Sequence, residues 1–158
     1  MGCPKPWQPT TKPSSIRPAK FRVIRQGQAI TPEAREEFDR LLEAVIAVLP
    51  DYVAKQLEEV PVIVEDEPKP ELRREMGESD LSEPSDLCGL QSGVPITERA
   101  DFSFAAPSPL IMIFRGPIFR LAGPSASRLR KQIRITLLHE IGHLFGFSED
   151  ELHAIGYG

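Results

Sequence analysis

The residues of this chain most suited to chemistry stand together near its C-terminus, in the run His139-Glu140-Ile141-Gly142-His143. Residues four apart stack on one face of an α-helix, so the two imidazoles can close on a single metal ion. Glu140 lies about 100° round the same helix, where its carboxylate can reach a water on that metal rather than the metal itself. Such a set is the working end of a zinc hydrolase: the ion activates the water and the carboxylate takes its proton. The competing reading is a pair of core histidines, each hydrogen-bonded to a neighbour. It would leave a carboxylate unpaired among apolar residues, which is costly.

The motif needs a helix to present it. From Ser125 to Phe145 the chain has no proline, starts after Pro124-Ser125, and repeats Leu129, Ile133, Leu137, Ile141 and Leu144 at helical spacing. Arg128, Arg130, Lys131 and Arg134 mark a solvated first half, and the histidine end is expected to be buried. Gly142 costs about 1 kcal/mol against alanine inside a helix, so close packing or metal access should explain it.

A third ligand must come from the short stretch that follows. Were the helix to run on, Asp150 would return to the histidine face about 16 Å further along the axis, too far to ligate. The helix must therefore stop and turn. Gly146 is placed to do this as a left-handed residue, with Phe147 packing back on the last turn. Glu149 is then the first choice for third ligand, Asp150 the second and His153 the third. Ser148 can equally cap a short terminal helix with Glu149, Asp150 and Glu151 as its acidic first turn.

The ending HEIGHLFGFSEDELHAIGYG resembles the signature of the minimal zincin-like metallopeptidases, small bacterial proteins with an HExxHxxGxx(D/E) motif before an acidic short helix. Three upstream segments are similar to that family as well: Val62 to Pro68, the glycine-containing Asp86 to Pro95, and Ile113 to Ile118. The likeness spans roughly residues 30 to 158 and is most specific in the last twenty. It implies a compact α+β zincin-like fold with an N-terminal helix, a small sheet, a long active-site helix and a short C-terminal helix. It also implies one zinc (Zn2+), His139 and His143 as ligands, Glu140 as general base, Glu149 as third ligand by position, and a peptide or protein substrate. The spacing from His139 to Glu149 matches that of metzincins. However, the third position is acidic, and Met1, Met76 and Met112 all precede the helix, so no Met-turn can follow. A thermolysin-like arrangement would need a later helix, for which the chain has no room.

The remainder bounds this reading. At 158 residues with 41% hydrophobic and 27% charged residues, the chain suits one soluble core. It has no apolar run of membrane-spanning length and no signal-peptide core. Cys3 and Cys88 form no disulfide framework, which favours a cytoplasmic location. Met1-Gly2-Cys3 suggests lipidation only weakly, since Pro6 stands where a myristoylation signal wants Ser or Thr. Residues 1 to 29 form a proline-rich basic tail, with Lys5, Lys12, Arg17, Lys20, Arg22 and Arg25, expected to lack stable structure. Residues 30 to 158 form the catalytic domain. A formal net charge of −4 disfavours nucleic acid as its main ligand.

Within that domain, Thr31-Pro32-Glu33 opens a helix that Pro50 ends, carrying Phe38, Leu41, Leu42, Val45, Val48 and Leu49. A second helical stretch covers Tyr52 to Glu59, a β-rich run follows over Val60 to Glu65, and the acid-rich Glu65 to Asp86 reads as a long loop or lid. Leu110 to Phe114 is a strand, ended by Arg115-Gly116-Pro117. Either it or the Gly89 to Gly93 segment is expected to accept the substrate as an added strand. Tyr157, His153 and Arg115 are candidates, by residue type, to steady the oxyanion. The alternative function is a non-catalytic, metal-stabilised interaction module, which predicts a coordinatively closed site.

Overall fold

A computed structural model describes residues 29–98 and 107–157; the expected basic tail falls almost wholly outside them. Helix α1 (Pro32–Ile46) begins where the capping residues require it. The Thr31 side chain accepts from the Ala34 N–H, and Pro32 occupies the first turn, where its missing N–H removes nothing. Phe38, Leu41, Leu42 and Val45 face inward. Val48, placed on that stripe by its spacing, is 41% exposed because the helix has already ended. Helix α2 (Asp51–Glu59) leads into strand β1 (Val62–Glu65).

The acid-rich stretch after β1 contains a helix, α3 (Pro70–Glu75), and is an organised segment rather than a free loop. Arg73, nearly buried, holds it from within. Its guanidinium donates to the Glu78 carboxylate at 2.7 Å and to the carbonyls of Glu83, Asp80 and Leu81 at 2.6, 3.3 and 3.3 Å. Those main-chain acceptors have no sheet or helix to satisfy them, and the planar fork reaches several at once.

Strand β2 (Gly89–Ser92), a turn of 3-10 helix at Ile96–Glu98 and strand β3 (Leu110–Phe114) follow. The sheet order is β1-β3-β2, with β3 parallel to β1 and antiparallel to β2. Both sides of Leu110 to Phe114 are therefore already paired, and it cannot accept a further strand. Of the two segments proposed for substrate pairing, only Gly89 to Gly93 lies at an edge. The uniformly apolar LIMIF fits a strand enclosed by neighbours. Ile111 and Ile113 are fully buried in the core.

Arg115-Gly116-Pro117 does not terminate the chain's regular structure but starts helix α4 (Arg115–Ala122). Proline is tolerated in a first turn. The Gly116 N–H donates to the Asp66 carbonyl at 2.7 Å, and a Cβ there would overlap the Glu67 carboxylate. Arg115 bridges Asp39 (2.7 Å) and Asp66 (3.1 Å), and Asp66 also binds Arg35. These pairs tie α1, the segment just after β1 and α4 together. Helix α5 (Ala126–Leu144) then crosses the molecule, packed against α1, α4, β2 and β3. Leu129, Ile133, Leu137 and Leu144 are almost fully buried along it. Helix α6 (Glu149–Ala154) closes the described chain. Among the described residues no helix is long and apolar enough to cross a membrane.

Candidate metal centre

Two consecutive helix endings build the site. Helix α5 stops at Gly146, whose φ of +85° suits glycine. The Gly146 N–H donates to the His143 carbonyl at 2.9 Å and the Phe147 N–H to that of Gly142 at 3.0 Å, the pairing of a Schellman stop. Ser148 immediately caps α6: its side chain accepts from the Glu151 N–H, and the Glu151 carboxylate accepts from the Ser148 N–H at 2.8 Å. Capping and metal ligation are thus compatible, because the box uses Glu151 and leaves Glu149 free to point elsewhere. Helix α6 ends in the same manner at Gly156, φ +86°, with the Tyr157 N–H on the Leu152 carbonyl at 2.9 Å.

Gly142 sets how closely α6 lies against α5. A Cβ there would stand 2.3 Å from Leu152 Cδ2, and Leu152 is 1% exposed. The glycine is explained by close packing. Phe147 does not return fully onto the helix and remains 46% exposed.

The carbonyls just beyond the two helix stops orient the two histidines. His143 Nδ1 lies 3.0 Å from the Phe147 oxygen, and His139 Nδ1 makes a short contact with the Tyr157 oxygen. A carbonyl can only accept, so each Nδ1 carries the proton and each Nε2 presents its lone pair. The two Nε2 atoms stand 3.0 Å apart, and Glu149 Oε1 lies 2.9 Å from that of His143 and 3.4 Å from that of His139. One donor atom from each residue falls within 4.8 Å of the others. Around a tetrahedral zinc with ligands at roughly 2.0–2.1 Å, neighbouring donors are about 3.3–3.4 Å apart, so the triangle fits such an ion with small adjustment. A proton could link only two of these three lone pairs, whereas a divalent ion satisfies all of them.

Glu140 is 6% exposed and points to β2, where its Oε2 accepts from the Gln91 N–H at 2.6 Å. Burial pushes its carboxyl above the ordinary range, against the opposing pull of His139 and the Gln91 N–H. For Glu149 burial acts in the same upward direction, but the adjoining histidines prevail and hold it below the usual carboxylate range. Asp150 and His153 are exposed on α6 and stand outside the donor triangle. Arg115 is committed to Asp39 and Asp66 and cannot serve as an oxyanion group. Tyr157 reaches the site through its carbonyl and also lines a hollow of about 350 Å³ beside His139 and Glu140.

A groove of about 590 Å³ opens over His139, Glu140, His143 and Glu149, walled by Met76 and Leu87 from the Arg73-held segment and by Leu90, Gln91 and Glu98. Sequence reasoning missed several of these participants: the Gln91 N–H, the two orienting carbonyls and the role of Gly89. A Cβ on Gly89 would lie 2.9 Å from Glu140 Cγ, Glu140 Oε1 and Thr136 Cγ2. Backbone groups have no residue signature, and a glycine in an unremarkable loop pattern was the sole clue. Three convergent donors that could hold a metal ion, an adjoining buried carboxylate and an open side thus stand together at this groove. Residues 57–158 match the model of the zincin-like metallopeptidases, and the chain belongs to that family. A comparison with curated proteins found no match.

Proposed function

We propose that the chain is a zinc-dependent metallopeptidase, with His139, His143 and Glu149 holding the ion and Glu140 as general base. The observation that carries this reading is the pair of Nδ1 contacts to carbonyls, which leaves both Nε2 lone pairs aimed at the Glu149 carboxylate. When bound, zinc would supply an activated water and polarise the scissile carbonyl. Glu140 takes the proton from the attacking water and passes it to the departing amine. Its burial suits the first half of that exchange, since a carboxylate of raised proton affinity takes a proton more readily than a solvated one. An extended peptide lies along the outer edge of β2, where main-chain hydrogen bonds hold it, with the groove receiving its side chains. A cytoplasmic setting, a separate non-catalytic tail over residues 1–29 and a folded unit over 30–158 belong to the same reading.

A metal used only to pin α6 onto α5 would want a closed shell; the groove of about 590 Å³ over the donors favours catalysis. The test is cleavage of a proteome-derived peptide library by the zinc-reconstituted full chain, with and without chelator. Glu140→Gln should retain zinc and lose cleavage, and His139→Ala should lose both. Chelator-resistant cleavage, or an active Glu140→Gln variant, would refute the assignment.

A further inference from the structure

The outer edge of β2 is not open at rest. Gly89 pairs with Ile113 and Gln91 with Ile111, and the Phe114 N–H donates to the Cys88 carbonyl at 2.9 Å. Along an antiparallel ladder alternate residues direct their peptide groups toward and away from the partner strand. Cys88, Leu90 and Ser92 therefore face β3, while Gly89 and Gln91 face outward. An added strand would use those outward groups, yet the Gln91 N–H is already taken by Glu140 Oε2 at 2.6 Å. The Gln91 side chain is turned back as well, onto the Ser92 and Gly93 carbonyls at 2.9 and 3.2 Å.

Gly89 keeps the contact in place. The space its missing Cβ would fill is bounded at 2.9 Å by Glu140 and by Thr136, so β2 lies against α5 as closely as a residue without a side chain allows. An unpaired sheet edge invites unwanted partners, and an inward-pointing charge is one way of blunting it.

We propose that Glu140 caps the β2 edge at Gln91 and is displaced when a peptide adds there, so that the base is released only by a correctly seated strand. This rests on the reading that substrate lies along β2. No bond is made or broken in the step; one hydrogen-bond acceptor for the Gln91 N–H, the Glu140 carboxylate, is exchanged for another, a peptide carbonyl.

Two readouts on the full chain test it, neither requiring turnover. The first is amide hydrogen exchange by NMR. The Gln91 amide should exchange at least tenfold faster in Glu140→Ala than in the wild type, with Leu90 unchanged. Gly89→Ala, which keeps the carboxylate but crowds it, should speed Gln91 in the same sense. Equal exchange at Gln91 in wild type and variants would overturn the cap. The second is binding of an extended octapeptide whose central amide is replaced by hydroxyethylene. Glu140→Ala should bind it about tenfold more tightly than the wild type, and the gain should vanish for the backbone N-methylated copy. Equal affinities would overturn the displacement while leaving the substrate reading intact. Failure of every form to bind would overturn both, leaving the metal assignment untouched.

Discussion

Replacing Gly142 by alanine should weaken metal binding without touching a ligand. Away from any neighbour the change would favour the helix by about 1 kcal/mol. Here the new Cβ would stand 2.3 Å from Leu152 Cδ2, and ordinary carbon contacts lie near 3.5–4 Å, so α6 or the leucine must retreat by roughly 1.2–1.7 Å. Overpacking of this kind costs about 1–3 kcal/mol, so the metal-free variant should lose about 0–2 kcal/mol. The larger effect falls on the site. Helix α6 carries Glu149 and ends at the Tyr157 carbonyl that orients His139, whereas metal coordination tolerates departures of only about 0.2 Å. Loss of such supporting contacts typically costs about 10–100-fold in affinity. Zinc affinity by chelator competition and thermal denaturation of the metal-free chain measure the two parts separately. The double variant Gly142→Ala, Leu152→Ala should recover part of the metal affinity by restoring space. A Gly142→Ala protein that is stabilised and binds zinc as tightly as the wild type would refute the packing argument.

Other consequences concern groups away from the donor triangle. Asp66 is held below the ordinary carboxylate range, chiefly by its hydrogen bonds to Arg35 and further by Arg115. Its contribution to stability is therefore complete above about pH 4 and lost as pH falls through the lowered native value. Thermal unfolding at pH 7, 5 and 3 should show Asp66→Asn less stable than wild type by a margin that holds at pH 7 and 5 and narrows at 3; a constant margin would contradict the pairing. Burial pushes the Cys88 thiol up to about 11, so at pH 8 it should alkylate about a hundredfold more slowly than an ordinary thiol. Peptide mapping after iodoacetamide treatment checks this, and rapid labelling of Cys88 in the folded chain would contradict it.

The parts of the site that could be read from the sequence are those governed by neighbours in the chain. Gly146 and Ser148 determine how α5 ends and α6 begins through hydrogen bonds spanning three to five residues, and these bring Glu149 back to the histidines. Thr31-Pro32 starts α1 by equally local means. What escaped prediction depends on distant contacts. Arg115-Gly116-Pro117 has the composition of a turn, and only the approach of Asp66 and Glu67, just beyond β1, shows why Gly116 lies in the first turn of a helix. Gly89-Leu90-Gln91-Ser92 is expected as one of two candidate edge segments, but it carries little strand propensity, and only its pairing with β3 decides between the two. The central place of Leu110 to Phe114 follows from what lies on either side of it, although its unbroken apolar character was a hint. The ordering of the acid-rich segment turns on Arg73 reaching carbonyls seven to ten residues ahead, a bond pattern without a local period.

X-ray absorption at the zinc edge on the full chain, reconstituted with one equivalent of zinc, tests the central claim most directly. Zinc should bind stoichiometrically through two imidazoles and oxygen donors at roughly 2.0–2.1 Å, with the oxygen shell altered in Glu149→Ala and both imidazoles kept. Failure to bind zinc, or a spectrum unchanged by Glu149→Ala, would contradict it.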